Sequence, residues 1–431
     1  MNYPRKVAIL GGNRIPFARS NKEYADASNQ DMLTAALDGL VARFGLQDER
    51  LGQVVGGAVL KHSRDFNLVR ESVLSSPLDP TTPAFDLQHA CGTSLTSAVQ
   101  VADAIALGRI ESGIGCGTDT TSDAPLQVND RLRTTLIKAA SAKKPLDRVK
   151  LFAGLRPGDL APEQPQAGEP RTGLSMGEHA AITAREFGIT REAQDELAAA
   201  SHQNLAKAYN EGFFNDLMTP FLGVQRDTNL RPDSNVETLA KLKPVFGKQD
   251  AIQHGTQATM TAGNSTPLTD GAAAALLSSE KWAREHGLEP QAYLIDSEIA
   301  AVDFVSGRDG LLMAPTYAVP RLLERNGLSL QDFDYYEIHE AFASQVLATL
   351  AAWEDETYCR ERLGLDSALG SIDRAKLNVK GSSLAAGHPF AATGARILAT
   401  AAKTLAENGG GRTLVSVCAA GGQGVVAIIE R

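Results

Sequence analysis

The pattern of apolar and polar positions at the start of the chain alternates between strand and helix. The segment 6–10, which is apolar from Val7 onward, is typical of a buried strand, and Gly11-Gly12 ends it. A second strand-like run covers 54–60. Between them, residues 31–44 place apolar side chains at helical spacing, at Leu33, Leu37, Leu40, Val41 and Phe44. Alternating strands and helices predict an α/β fold.

Two later stretches share one layout, in which a reactive residue is followed by a helix, a strand and a turn. Cys91 opens the first stretch, and His388 opens the second. The helix and strand ranges are 95–107 and 112–116 in the first, and 393–408 and 413–418 in the second. We interpret this repeat as an internal duplication of two α/β halves.

The region between the halves, 122–254, has a different composition. It opens with a basic stretch over 131–150, followed by a Pro- and Gly-rich segment over 156–173. Helical patterns then cover 176–187 and 191–209. The change predicts an inserted domain or a large excursion from the α/β core.

Length and charge limit the classes of function. The 431 residues allow two or three domains at about 150 residues each. A net charge of −9 argues against nucleic acid as the main partner, because binding phosphates requires a basic face. Four scattered cysteines do not form a disulfide framework, which favours a reducing, cytoplasmic location. We expect neither a signal peptide nor a transmembrane segment.

Three residues are candidates for nucleophilic chemistry. Cys91 precedes a helix, whose amides and dipole favour the reactive thiolate, although a lone cysteine is often only a small buried residue. His388, between glycine and proline, is a candidate to accept the thiol proton. Cys418 ends a strand and opens a glycine-rich turn whose amides could stabilise an oxyanion, while its thiol could transfer a proton.

Several other site types fail on their motifs. Gly92-Thr93-Ser94-Leu95-Thr96 lacks the final glycine of a serine-hydrolase elbow. His339 begins a His-Glu segment, but residue 343 is alanine where a zinc protease has its second histidine. Gly11-Gly12-Asn13-Arg14 lacks the dinucleotide pattern. The sequence therefore predicts no metal, nicotinamide or flavin site.

Taken together, these segments resemble the thiolase family over essentially the whole chain. Individually the motifs are weak, but they stand in the family's order. They are Arg14-Ile15-Pro16-Phe17, the Cys91 segment, Ser175-Met176-Gly177-Glu178, 190–204, Lys243-Pro244-Val245-Phe246, Thr261-Ala262-Gly263-Asn264, Asp270-Gly271-Ala272, His339-Glu340-Ala341-Phe342, Gly387-His388-Pro389, and Cys418 with its turn.

The resemblance implies a fold and a division into domains. The fold would be α/β, with duplicated α/β halves forming a layered αβαβα core and an inserted loop domain. The N-terminal half would comprise 1–121 plus about 255–278, and the C-terminal half 279–431. The inserted region, 122–254, would be the loop domain that covers coenzyme A (CoA).

It also implies roles for individual residues. Cys91 would carry the acyl group, His388 would activate it, and Cys418 would act as general acid and base. One oxyanion site would use the amides of Cys91 and Ala420, and a second the His388 ring with the group presented by His339. The residues expected to line the tunnel for the pantetheine arm of CoA are Met176, Thr266, Ala341 and Phe342.

CoA would then be a substrate, with no tightly bound cofactor. The partners implied are CoA thioesters, a second copy of the chain in a homodimer or homotetramer, and a partner subunit of a β-oxidation multienzyme complex. The basic stretch 131–150 could contact CoA phosphates, a membrane surface or an acidic subunit, or could be only a solvated helix face.

Three positions depart from the common family pattern. His339 stands where most members have asparagine, which resembles the branch containing the β-subunit of the fatty-acid-oxidation complex. Ala420 replaces a glycine of the oxyanion turn, and Gly381-Ser382-Ser383 stands where Gly-Gly is typical. The amide of residue 420 remains, and only the third departure leaves the local backbone geometry open.

The sequence thus predicts thiolytic cleavage of 3-ketoacyl-CoA in fatty-acid β-oxidation, through an acyl group on Cys91. A short-chain acetyl-CoA acetyltransferase is the first alternative. A ketoacyl synthase would share the duplicated fold but not need Cys418. A non-catalytic acyl-CoA- or sterol-binding relative would lose the thiol and imidazole set, yet Cys91, His388 and Cys418 are all present.

Overall fold

The computed structural model describes residues 4–163 and 168–431. Its strands are β1 (Val7–Arg14), β2 (Ala18–Arg19), β3 (Gln53–Gly56), β4 (Ala84–Asp86), β5 (Ser112–Asp119), β6 (Gln127–Val128), β7 (Pro162–Glu163), β8 (Thr269–Ser279), β9 (Ala292–Ala301), β10 (Tyr335–Ile338), β11 (Arg412–Ala419) and β12 (Gln423–Glu430).

Helices connect these strands. They are α1 (Asn29–Phe44), α2 (Leu68–Ser75), α3 (Thr93–Ala106), α4 (Asp130–Ser141), α5 (Pro145–Phe152), α6 (Met176–Glu186), α7 (Arg191–Asn210), α8 (Val236–Leu239), α9 (Lys248–His254), α10 (Glu280–Glu285), α11 (Ala314–Asn326), α12 (Ala343–Glu354), α13 (Glu356–Glu361), α14 (Ser383–Ala386) and α15 (Thr393–Glu407). The predicted α/β fold is confirmed.

Among the described residues, most strands form one large mixed sheet in the order β10-β11-β12-β9-β1-β8-β5-β3-β4, with β2 paired to β8, while β6 and β7 form a separate two-stranded sheet. In one half β3 runs parallel to β5, and β8 and then β1 continue antiparallel. In the other half β10 runs parallel to β11, and β12 and then β9 continue antiparallel. The same arrangement of strands therefore occurs twice, and antiparallel pairing of β1 with β9 joins the halves.

Helices α3 and α15 pack against each other between the halves of the sheet. Side chains in a strand alternate between faces, so Val7 and Ile9 of β1 face this inner core, whereas Ala8 and Leu10 face the outer core beneath α1. A second outer core lies beneath α11. The layered arrangement follows from burying both faces of the sheet under helices.

The second predicted strand, 54–60, ends earlier than expected, at Gly56. The amides of Val59 and Leu60 donate to the buried carboxylate of Asp119, at 3.0 and 2.8 Å, instead of to a neighbouring strand. The strand predicted over 112–116 is longer and reaches Asp119, because β8 continues to pair with it as far as Gly271. Asp119 thus marks the end of one strand and shapes the loop after the other.

The basic stretch forms α4 and α5, which pack mainly on each other. Every side chain of α5 is partly or fully exposed, and Ala139 is the buried residue of α4. Apolar side chains on this hairpin are also exposed, including Leu136, Ile137, Leu146 and Val149. No helix within the described ranges is long and apolar enough to cross a membrane.

Candidate active site

Cys91 sits at a sharp turn between β4 and α3. The preceding residue, Ala90, has φ of 45°, a left-handed conformation that costs a non-glycine residue about 1–2 kcal/mol. Gly92 is the N-cap, and α3 begins at Thr93. The Thr93 hydroxyl secures the turn by donating to the carbonyl of Ala90 at 2.7 Å. Such strain at a candidate nucleophile is typical of functional turns.

His388 is held at the start of the corresponding segment in the second half. Gly387 has φ of 101°, and a Cβ there would lie 2.7 Å from the Thr269 side chain. The His388 amide donates to the hydroxyl of Thr269 at 2.8 Å. Gly394, in the first turn of α15, packs directly on the backbone of Leu95, where a side chain would overlap it. Small residues therefore allow α3 and α15 to bring Cys91 and His388 together.

The structure gathers the candidate residues from both halves into one cluster. The Sγ of Cys91 and one ring nitrogen each of His339 and His388 lie within 4.8 Å of one another. The two imidazole ring centroids are 4.2 Å apart. The Nε2 atoms of both rings are buried and have no partner among the described residues. Cys418 is 1% exposed, and its pKa is raised first by burial and then by the charge of the nearby Cys91.

Backbone amides also point at the Cys91 sulfur. The N–H groups of Ala420 and of Cys91 itself both act to lower the pKa of the Cys91 thiol. The turn that carries Ala420 is secured by Glu169, whose carboxylate accepts the N–H of Gly421 at 2.7 Å. The alanine at 420 therefore preserves the amide that the sequence analysis singled out, and Glu169 is a contributor that it missed.

Opposing influences act on the protonation of Cys91. Burial raises the pKa of Cys91 to about 12, which outweighs the opposing effect of the two amides. Burial, together with the positive charge of Arg396, lowers the pKa of His388 to about 3. Both shifts favour a neutral thiol and a neutral imidazole, because burial in an apolar pocket disfavours either charge.

This pairing has a measurable consequence for alkylation of Cys91. We expect the rate of modification by iodoacetamide to rise steadily between about pH 7 and pH 10, since the thiolate fraction grows tenfold per pH unit below the pKa. Mass spectrometry of the Cys91 peptide measures the rate. A cysteine peptide in solution is the control, because its rate levels off above about pH 9. A rate at Cys91 that is already constant at pH 7 would show a thiolate–imidazolium pair instead.

His339 occupies a fully buried position at the end of β10. Its Nδ1 lies 2.8 Å from the Ser383 hydroxyl, which also accepts a hydrogen bond from the guanidinium of Arg396 at 2.7 Å. The next residue, Glu340, accepts hydrogen bonds from Ser201, Asn378 and the amide of Leu384. Sequence reasoning missed Arg396 and Ser383 as neighbours of the site, although the unusual Gly381-Ser382-Ser383 was a signal for the latter.

A cavity of about 660 Å³ opens onto Cys91. Its wall includes Ala420, Met176 and Phe390, and apolar side chains such as Val59, Leu60, Leu126 and Leu268. Of the four predicted pantetheine contacts, Met176 lines this cavity directly. Ala341 and Phe342 are buried in the apolar cluster that contains Cys418 and against which Met176 packs. The Thr266 hydroxyl donates to the carbonyl of Ala341 at 2.9 Å, so Thr266 braces this cluster.

The arrangement is suited to acyl transfer. It offers a thiol, an imidazole base, a second thiol, and two backbone N–H groups in a pocket of low polarity, where oxyanion stabilisation is strong. One thiol and two imidazoles are also ligands that Zn²⁺ accepts. A metal ion bound to the Cys91 sulfur, however, would prevent that sulfur from acting as a nucleophile.

Comparison with known proteins agrees with this chemistry. Residues 7–281 match the family model described as "Thiolase, N-terminal domain", and residues 288–431 match "Thiolase, C-terminal domain". The 3-ketoacyl-CoA thiolases of Yersinia pestis (strain Pestoides F) and Yersinia pseudotuberculosis serotype O:3 are each 40% identical over 99% of this chain and 97% of their own length.

Solved structures match over the same extent. Human mitochondrial 3-ketoacyl-CoA thiolase superimposes with a TM-score of 0.80 at 28% identity, covering 99% of both chains. The Bacillus anthracis acetyl-CoA acetyltransferase gives 0.81 at 28% identity, covering 100% of both. The two matched family models together span nearly the whole chain. The chain belongs to the thiolase family.

Proposed function

We propose that the chain is a 3-ketoacyl-CoA thiolase that cleaves its substrate through an acyl group carried on Cys91. The observation that carries the proposal is the cluster of Cys91, His339 and His388, within 4.8 Å, beside the second buried thiol of Cys418. Relatives that are 40% identical over the full length and bear this name support the same activity.

In the first half-reaction, His388 takes the proton of Cys91, and the sulfur attacks the 3-keto carbon. The amides of Cys91 and Ala420 stabilise the oxyanion that forms there. The bond between C2 and C3 then breaks, and the enolate oxygen of the departing acetyl-CoA accepts hydrogen bonds from His388 and His339. Cys418 donates its proton to C2, which completes acetyl-CoA and leaves an acyl group on Cys91.

In the second half-reaction, the Cys418 thiolate removes the proton from the thiol of a second CoA. The CoA sulfur attacks the acyl group, and the amides of Cys91 and Ala420 again hold the oxyanion. Collapse of this intermediate releases the shortened acyl-CoA, and His388 returns the proton to Cys91. Dividing the reaction through an acyl group gives ping-pong kinetics.

The division into domains follows the same proposal. Residues 1–121 with about 255–278 would form one half, 279–431 the other, and 122–254 the loop domain over CoA. Exposed basic residues on α4 and α5 would then contact the CoA phosphates or an acidic partner subunit. Met176, which lines the cavity, would contact the pantetheine arm, with Thr266, Ala341 and Phe342 behind it.

CoA enters this scheme as a substrate, and no tightly bound cofactor is required. A human mitochondrial 3-ketoacyl-CoA thiolase, 28% identical, has been solved in complex with CoA. We further propose that the protein is a homodimer or homotetramer. We also propose that it is located in the cytoplasm, because its four cysteines are free thiols. Light scattering after size-exclusion chromatography tests the oligomeric state, and a monomer at micromolar concentration would contradict it.

The second candidate is a short-chain acetyl-CoA acetyltransferase, which the similarity to the Bacillus anthracis enzyme supports. Thiolysis of 3-ketoacyl-CoA substrates from acetoacetyl-CoA to long chains, followed by mass spectrometry, separates the two. We expect acetyl-CoA and a shortened acyl-CoA from medium and long chains. Activity confined to acetoacetyl-CoA would favour the acetyltransferase. No cleavage at any length by the folded protein would contradict both.

A further inference from the structure

The buried imidazole of His339 can serve the proposed reaction in only one of its two neutral forms. A neutral imidazole carries its proton on either Nδ1 or Nε2, and the hydrogen bond at one nitrogen decides the state of the other. Nδ1 of His339 is bonded to Ser383, whereas Nε2 is free of partners among the described residues. An oxyanion donor at Nε2 therefore requires that Nδ1 be an acceptor.

Arg396 determines which way the hydrogen bond between Ser383 and His339 points. A guanidinium has only donors, so the Ser383 oxygen must accept the 2.7 Å hydrogen bond from Arg396. The serine still has one hydrogen to donate, and Nδ1 of His339, at 2.8 Å, is the acceptor within reach. In the opposite orientation, the serine oxygen would accept two hydrogen bonds while its own hydrogen stayed buried and unpaired, which is unfavourable.

The neighbouring histidine needs the opposite form. Nδ1 of His388 lies 2.6 Å from the hydroxyl of Thr393. To take the proton of Cys91, His388 must have a free electron pair on Nε2, so Nδ1 carries the proton and donates to Thr393. Once His388 has taken the thiol proton, both rings, with centroids 4.2 Å apart, present an N–H at Nε2 to the same region.

We propose that Ser383 and Arg396 are positioning residues that lock His339 in the form protonated at Nε2. This inference rests on the proposed thiolase function, because it is the enolate oxygen of that reaction that the Nε2–H would stabilise. Arg396, 4% exposed, directs the Ser383 hydroxyl, and the hydroxyl directs the imidazole. Neither residue lines the cavity that opens onto Cys91.

A double-mutant cycle tests the inference kinetically. We expect Ser383→Ala to lower kcat by about tenfold or more, with KM for the ketoacyl-CoA changed less than about threefold, because an interaction made only in the transition state is weakened. Asparagine at 339 always offers an amide N–H and has no tautomer to select. In the His339→Asn background, Ser383→Ala should therefore cost less than about twofold. An equal loss in both backgrounds would show that Ser383 has only a structural role.

The matched control is Ser382→Ala. Ser382 is equally buried and contacts Arg396 at 3.4 Å, but it has no hydrogen bond to His339. We expect its kcat to stay within about twofold of the original protein. A loss as large as that of Ser383→Ala would overturn the specific role of Ser383.

A spectroscopic measurement on the free enzyme does not depend on activity. In protein labelled with ¹⁵N at histidine, long-range ¹H–¹⁵N correlation distinguishes the two neutral forms, and the signals missing in His339→Asn identify His339. We expect protonation at Nε2 in the original protein, and a shift towards Nδ1 in Ser383→Ala. Protonation at Nδ1 in the original protein would overturn the inference. Failure of the thiolase proposal would instead appear as a correct tautomer without ketoacyl-CoA cleavage.

Discussion

Replacing Cys91 with alanine is expected to lower kcat for 3-ketoacyl-CoA thiolysis by about 10⁴-fold or more, because the proposed reaction passes through an acyl group on Cys91 and uses Cys418 only to transfer protons. Incubation of the original protein with an acyl-CoA should add one acyl group to the Cys91 peptide, and the variant should acquire none. Intact-protein and peptide mass spectrometry measure both outcomes.

Cys359→Ala is the control for this experiment. Cys359 is a buried, free thiol in α13, and its Sγ contacts the carbonyls of Ala352 and Trp353, at 3.4 and 3.5 Å, instead of a group of the cluster. Its removal should affect stability more than activity, since it leaves a small cavity and changes nothing in the site. Retention of rapid thiolysis or acylation by Cys91→Ala would refute the assignment of the nucleophile.

The second large effect is expected at Cys418. Cys418→Ala should reduce cleavage of the carbon–carbon bond by about 10²–10⁴-fold, since the proton for the departing carbon is lost. Labelling of Cys91 by an acyl-CoA should be slower but still reach completion, because forming a thioester does not require a proton on carbon. Comparing the two rates separates a thiolase from a ketoacyl synthase, in which Cys418 would be dispensable.

Cys116→Ala provides a closely matched control for Cys418. Cys116 lies on β5, which occupies in the first half of the sheet the position that β11 occupies in the second. It is fully buried, and its thiol contacts the carbonyl of Val55 at 3.5 Å. We expect little change in kcat. If Cys116→Ala and Cys418→Ala lowered kcat equally and lost equal thermal stability, Cys418 would be a residue of the core without a catalytic role.

Local sequence patterns were sufficient for much of the fold. Helical spacing of apolar residues predicted α1 to within two residues at its start, and Gly45 ends it as a left-handed cap. The repeated order of reactive residue, helix and strand predicted α3 with β5 and α15 with β11. These predictions succeeded because hydrophobic periodicity reflects which face of an element is buried.

The ends of strands and helices were harder to predict from the sequence where they depend on residues distant in the chain. The run over 54–60 is apolar throughout, yet its second part leaves the sheet because Asp119, some sixty residues later, binds its amides. The protonation of Cys91 depends on distant residues in the same way. A helix terminus is visible in sequence, whereas the burial that opposes it depends on residues from both halves of the chain.

By itself, the sequence determined the α/β fold, its duplication, and the identity of the two thiols and two imidazoles that the proposed chemistry requires. The fold and its duplication depend on residue type and local spacing, whereas the combined set of four groups follows from the resemblance to thiolases. Only the tertiary structure decided how near these groups lie, which of their nitrogens are free, and that Ser383 and Arg396 stand behind His339. Distances and hydrogen-bond directions between residues far apart in the chain arise when the halves pack together, and no local pattern encodes them.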